Sequence, residues 1–206
     1  ELNTAFADAS FFKMFGLNLL SGDEETALES PNTVVLTRTG AEKHFGVDNA
    51  VGQELLLDNS DTYIVTGVIE DLPKNSLLRD HSVFMAMSGY ADAQETEWGS
   101  HNYFTFIKII PSASIADIQP QLQAMVGKYL IPWVQQIYPG ITEEEFRATG
   151  NDVNYYSMAL TDIHLYSQAN FELSANGSMQ NIYILLFIGI FLILLASVNF
   201  MNLSTA

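Results

Sequence analysis

Residues Ile182-Tyr-Ile-Leu-Leu-Phe-Ile-Gly-Ile-Phe-Leu-Ile-Leu-Leu-Ala-Ser-Val198 form an almost unbroken apolar run. Read as a helix rising 1.5 Å per residue, the run is about 25 Å long, just short of a hydrocarbon core of about 30 Å. Continuing through Asn199-Phe-Met-Asn-Leu203 brings it to about 33 Å, so a transmembrane helix is expected over 182–203. Tyr183 stands where an interfacial aromatic belongs. The buried helices of soluble proteins rarely carry apolar residues on every face over such a length.

The charges support this reading. Among 206 residues there are 24 acidic and 8 basic side chains, a net charge of −16, and all of them lie at or before Glu172. The nearest basic residues upstream of the run are Arg147 and Lys128. Flanks on the cytoplasmic side are enriched in Lys and Arg, so residues 1–172 are expected outside the cytoplasm, with the helix entering the membrane near Ile182. The sequence opens on Glu1 without a basic-then-apolar leader. It therefore reads as part of a longer chain, with a basic flank expected downstream and another membrane helix expected before Glu1.

Composition narrows the function. An apolar fraction of 48% with 12% aromatics supplies enough side chains for a core, unlike a disordered acidic tail. The acidic balance argues against a nucleic-acid partner, whose phosphates it would repel. With no cysteine, disulfides, thiolate catalysis and zinc–cysteine sites are excluded.

Along 1–181 the pattern is mixed. Asp8–Gly16 reads as a short helix capped by Asp8 or Ser10, with Phe11 and Phe15 on one face and Gly16 ending it. Residues 31–37 read as a strand leading into Thr39-Gly-Ala-Glu42, a capping-box pattern whose helix closes at Phe45-Gly46. Residues 53–57, the turn Asp58-Asn-Ser-Asp61 and residues 62–69 read as a β-hairpin. Further strands are expected at 82–87, 103–110 and 153–160. Ile118, Leu122, Met125, Val126, Tyr129 and Trp133 recur at helical spacing, with Asp117 as the expected cap, Pro120 in the first turn and Pro132 as terminator or kink. Thr142-Glu-Glu-Glu145 is a second capping box. The fold class expected is α+β, followed by a transmembrane α-helix. The polar stretch 173–181 joins the two, with Ser178 expected to cap a helix extending outward from the membrane. Such a short joint can pass a helix tilt to a folded domain, which a long flexible linker would dissipate.

Chemical motifs do not emerge. His44, His81, His101 and His164 lie far apart, whereas metal pairs on a helix need closer spacing. The Asp58–Asp61 stretch lacks the glycine and glutamate of an EF-hand loop, since Tyr63 and Ile69 occupy those positions. Glu143–Glu145 reads as a helix start balancing the macrodipole. Trp98, Tyr155 and Tyr156 suit a ligand cleft but fit a core role better, and Asn176-Gly-Ser178 reads as a turn although it matches a glycosylation triplet. No Gly-x-Ser-x-Gly, Walker or Gly-x-Gly-x-x-Gly motif is present. The expectation is therefore no catalytic residue, no metal ligand, no cofactor and no enzymatic activity.

Several stretches together resemble one family. They are Ala7–Phe15 with Leu19–Asp23, Pro31–Leu36 with Ala41 and His44-Phe-Gly46, and Val51-Gly52. Tyr63–Pro73 with Asn75-Ser76, Leu160–Ser167 and Asn199–Thr205 complete the set. In their order they resemble the MacB-like periplasmic core domain of an FtsX/MacB-type ABC transporter permease, followed by the start of an FtsX-like membrane domain. One departure is Leu77, where the family often has His after Asn-Ser. The resemblance implies a core domain over 1–172 with two lobes, Porter-like and Sabre-like. The inserted lobe would lie near 25–75, and the flanking parts near 1–24 and 80–172. It also implies a bacterial inner-membrane location with 1–172 in the periplasm, and a separate cytoplasmic ABC ATPase subunit as partner. A permease dimer or pseudo-dimer and a periplasmic partner protein are implied as well. Such systems export peptides, drugs or lipids, extract lipoproteins, or transmit force to envelope enzymes. The alternative class is a membrane-tethered sensor or ligand-binding module; a membrane-anchored hydrolase is third, since no nucleophile or metal motif surfaces.

Overall fold

The computed structural model describes residues 3–45, 50–57 and 61–205. It divides into two compact units, Glu1–Ser157 and Met158–Ala206.

The first unit is built on six strands: β1 (Thr4–Ala7), β2 (Leu19–Gly22), β3 (Thr33–Thr37), β4 (Glu54–Leu57), β5 (Asp61–Ile69) and β6 (Val83–Ala86). Their order in the sheet is β1-β6-β3-β5-β2, with β4 also on β5. β1–β6 and β3–β5 run parallel; β3–β6, β2–β5 and β4–β5 are antiparallel. β5 is long enough to serve two neighbours along one edge, β4 over Asp61–Ile64 and β2 over Gly67–Ile69.

β3 is the keel. All five of its residues are buried, as expected of a strand covered on both faces. Val34 and Leu36 pack with Val65, Val68, Val83 and with Ala41 of α2 (Arg38–Phe45). Val35 points the other way, into a cluster with Ile69, Phe84 and Phe12 of α1 (Phe11–Phe15). Phe12 and Phe84 meet edge to face, with centroids 5.7 Å apart. Gly16, left-handed at φ 66°, ends α1 as its position suggested; Ser10 precedes the helix without a side-chain cap bond.

The described residues between 25 and 75 carry three of the six strands. They supply β3, β4 and β5 to the same sheet as β1, β2 and β6. A second core lies elsewhere, where Val126, Leu130 and Val134 pack with Trp98, Trp133, Ile141, Phe146, Val153 and Tyr155. The helices carrying it are α3 (Ile115–Met125), a π-helical turn (Val126–Leu130), α4 (Ile131–Ile137) and α5 (Glu143–Ala148). The cap of α3 is Ser114, not Asp117. Asp117 is the reciprocal partner, accepting from the Ser114 N–H and hydroxyl at 2.7 Å each, and these bonds hold its carboxyl below the usual range. Pro120 consequently lies inside the helix rather than in its first turn. Pro132 does not stop the chain: the π turn ahead of it shifts the hydrogen bonding to Ile131 N–H on Val126 O, and the proline enters the first turn of α4, where it needs no N–H. The Thr142–Glu145 capping box of α5 forms as expected.

Two expected strands are not paired. Residues 103–110 run without regular structure, Phe106 packing edge-on against Phe15 at 5.0 Å. Residues 153–157 have their backbone groups claimed by α3: Gln119 and Gln123 amides both donate to Tyr155 O at 2.8 Å, and Ser157 N–H donates to Gln119 at 3.2 Å. Side-chain amides there occupy groups that a neighbouring strand would need. The closing Phe45-Gly46 and the turn Asp58-Asn-Ser-Asp61 fall partly outside the described residues.

The start of α2 also departs from expectation. Thr39 bonds Asp71, 32 residues away, through its N–H at 2.9 Å and its hydroxyl at 2.6 Å, while Thr37 Oγ1 accepts from Gly40 N–H at 3.2 Å. Burial pushes the Asp71 carboxyl up, but the bonds from Thr39 and Thr37 and the charge of Arg38 outweigh it and hold the group below its ordinary value. A carboxyl with a lowered folded-state pKa adds stability above its unfolded pKa of about 4, and that contribution vanishes as pH falls through the folded value. Asp71→Ala should therefore cost about 1 kcal/mol near neutral pH, measured by urea unfolding of the chain in detergent micelles. The gap between wild type and variant should close on acidification below about pH 4.

Candidate functional site

The second unit carries α6 (Leu160–Tyr166) and α7 (Met179–Ser204). α7 is 26 residues long, contains no charged residue and is wholly uncovered, so it is long and apolar enough to cross a membrane. The helix backbone takes up the hydroxyls along it and at its end: Ser197 Oγ donates to Ile193 O at 2.8 Å, and Ser204 and Thr205 hydroxyls donate to Met201 O at 3.0 and 2.8 Å. Such internal bonding is what hydrocarbon demands of a hydroxyl. Asn199 lies about 25 Å along the axis from Ile182, so the two asparagines fall at the far end of the apolar stretch.

The root of α7 is built, not loose. Ser178 is extended and caps the helix, its hydroxyl accepting from Asn181 N–H at 3.4 Å. One residue earlier, Gly177 N–H donates to His164 O on α6 at 2.8 Å. A side chain at Gly177 would be tight: its Cβ would stand 3.1 Å from Leu165 Cδ2 and 3.2 Å from His164 Nε2, so those side chains would have to shift by a few tenths of an ångström. Ser174, in the same connection, is buried. The expected joint over 173–181 thus splits into a non-helical segment through Ser178 and a first helical turn from Met179. Asn176-Gly-Ser178 is the hinge plate of that root.

The other residues singled out by sequence are dispersed. His44 lies on α2 and His164 on α6. His101 stacks on Tyr155 at 5.9 Å, and the His81 ring lies 6.4 Å from that of Phe84. Among the described residues, no three His, Asp or Glu side chains group as metal ligands. Trp98 stacks on Tyr129 at 4.5 Å within the second core, which also takes Tyr155; burial pushes the Tyr155 phenol up. Tyr156 is exposed. The feature that spacing alone missed is the Gly177–His164 bond, although both residues belong to stretches that drew attention separately.

The chain is thus of the class in which a mixed sheet-and-helix domain is followed by one apolar helix long enough to cross a membrane. Residues 2–125 match the MacB-like periplasmic core domain, and the chain belongs to that family. Among solved structures, it is similar to a domain of a Porphyromonas gingivalis protein assigned as a permease, at 22% identity and a TM-score of 0.47. That similarity covers 61% of this chain and 58% of the other, so this chain spans little more than half of that protein's length. It is also similar to the periplasmic region of MacB from Actinobacillus actinomycetemcomitans, at 16% identity and a TM-score of 0.44, over 68% of this chain and 67% of that one. No curated protein sequence matches.

The root makes a clear prediction. Gly177→Val should crowd Leu165 and His164, loosen the segment before α7 from α6 and cost about 1–3 kcal/mol, the usual penalty of overpacking. Hydrogen exchange on the chain in detergent should show faster exchange across 160–166 in the variant, with the amides of β3 and β5 unchanged.

Proposed function

We propose that the chain is the periplasmic domain and following membrane helix of an ABC transporter permease subunit in a bacterial inner membrane. On this reading residues 1–172 lie in the periplasm and α7 spans the bilayer, in keeping with the absence of any Lys or Arg between Arg147 and the start of α7. The protein is not an enzyme. A separate cytoplasmic ATPase subunit binds and hydrolyses ATP, moves the membrane helices, and the periplasmic domain moves with them. The permease works as a dimer or pseudo-dimer, with a periplasmic protein as a further partner, in export, lipid or lipoprotein extraction, or mechanotransmission.

The observation that carries the proposal is the built root of α7, taken with membership of the MacB-like family. A tilt of α7 is handed to α6 through the Ser178 cap and the Gly177–His164 bond. Within the second unit this connection is short and ends in a hydrogen bond, which is what transmission needs and a flexible linker lacks.

Affinity purification of the full-length protein from inner membranes should bring down an ABC ATPase subunit in stoichiometric amount. Proteolysis of intact spheroplasts should cleave within residues 1–172. Recovery of the protein without an ATPase, or protection of 1–172 until the cells are lysed, would overturn the reading.

A further inference from the structure

We propose that the last turn of α6 and the loop 167–172 form an interfacial collar around the root of α7, with Tyr166 and Phe171 resting in the outer headgroup layer of the bilayer. The inference rests on the membrane-spanning reading of α7 and extends it to a second lipid contact.

Its starting point is depth. The Gly177–His164 bond of 2.8 Å ties the end of α6 to a residue just before the cap of α7. Gly177 precedes Ile182, where the unbroken apolar run begins, by five positions: a non-helical step to Met179 and then about 5 Å of helix axis from Met179 to Ile182. The headgroup region adds about 5–8 Å on each side of the hydrocarbon. The last turn of α6 is therefore held at the level of the headgroups by a backbone bond.

At that level the protein displays aromatic rings. Tyr166 is 56% exposed and Phe171 is 84% exposed. Phe171 does not sit on a loose end: the Ser167 hydroxyl bonds the Glu172 carboxylate across the loop, and Ala169 N–H donates to Ser167 Oγ at 3.3 Å. A closed loop that holds a phenyl ring in water gains nothing from it, whereas the water–lipid boundary is where aromatic rings are favoured. Continuity selects the occupant, because the ring belongs to the same compact unit as α7 and stands at its root. Glu172, beside Phe171, keeps the contact shallow, since its carboxylate stays hydrated. No cation lies between Arg147 and Ala206, while Asp162 and Glu172 are acidic. The contact is therefore apolar and needs no anionic lipid.

The chain has no cysteine, which makes single-site labelling direct. Phe171→Cys, Tyr166→Cys and Ile190→Cys, each carrying an NBD fluorophore, would be placed in phosphatidylcholine nanodiscs as whole chains. Lipids bearing a nitroxide near the headgroup or at the chain end then report depth. The labels at 171 and 166 should emit blue-shifted light and lose intensity mainly to the shallow nitroxide, while 190 loses intensity mainly to the deep one. Quenching at 190 with none at 171 and 166 would leave α7 in the bilayer and overturn the collar. Absence of quenching at 190 would overturn the membrane reading itself. A blue shift at 171 without quenching by either nitroxide would assign the ring to a protein partner and overturn the lipid contact. Stronger quenching at 171 in phosphatidylglycerol than in phosphatidylcholine would overturn its apolar character.

Discussion

The uncovered surface of α7 is the constraint around which the chain is organised. Seventeen residues from Ile182 to Val198 carry almost no polar group, and the helix that contains them is wholly uncovered. At roughly 25 cal/mol for each Å² of apolar surface, exposure on that scale is incompatible with water. The helix is long and apolar enough to cross a membrane, and its backbone hydrogen bonds, together with hydroxyls turned back on Ile193 O and Met201 O, lower the cost of moving it into an apolar phase. The root of the helix is firmly made, with a cap, a backbone bond to α6 and a glycine that allows close approach.

The first unit meets a different demand, that of staying folded with a high negative charge. β3 carries most of that burden. Its alternate residues enter two clusters, one toward α2 and one toward α1, so a single five-residue strand ties both faces of the sheet together. The smaller core around Val126, Leu130 and Val134 is a separate assembly, fed by Trp98 and Tyr155 from sequence-distant segments. The charged residues are left to the surface, where exposed pairs such as Lys13–Glu25 and Arg38–Glu70 add little individually.

What sequence made legible was what neighbouring residues decide among themselves. The apolar run of α7, the Ser178 cap, the Thr142–Glu145 box and the buried strands β3 and β5 all follow from spacing within a few residues. The misreadings share the opposite cause. Thr39 looked paired with Glu42 in a local box, but Asp71, 32 positions away, reaches it. Residues 153–157 have strand-like alternation, yet glutamines of α3 occupy the backbone groups that pairing would use. Pro132 carries a strong local signal for a break, which a π turn absorbs by rerouting one hydrogen bond. The Gly177–His164 bond was illegible for the same reason, since a backbone amide and a carbonyl thirteen residues away leave no mark in side-chain patterns.

The cap at Ser178 also has an angular meaning. Because α7 begins at a fixed residue tied to α6 through its predecessor, the bearing of each side chain around the helix axis is set at the root. One residue added within the first turn of α7 would shift the rest of the helix by only about 1.5 Å along its axis yet turn it by about 100°. Gly189, Ala196 and Asn199, which lie toward one side of the rod, would then look in another direction. Evolution can exchange side chains along such a rod freely, but the number of residues in its stem is locked.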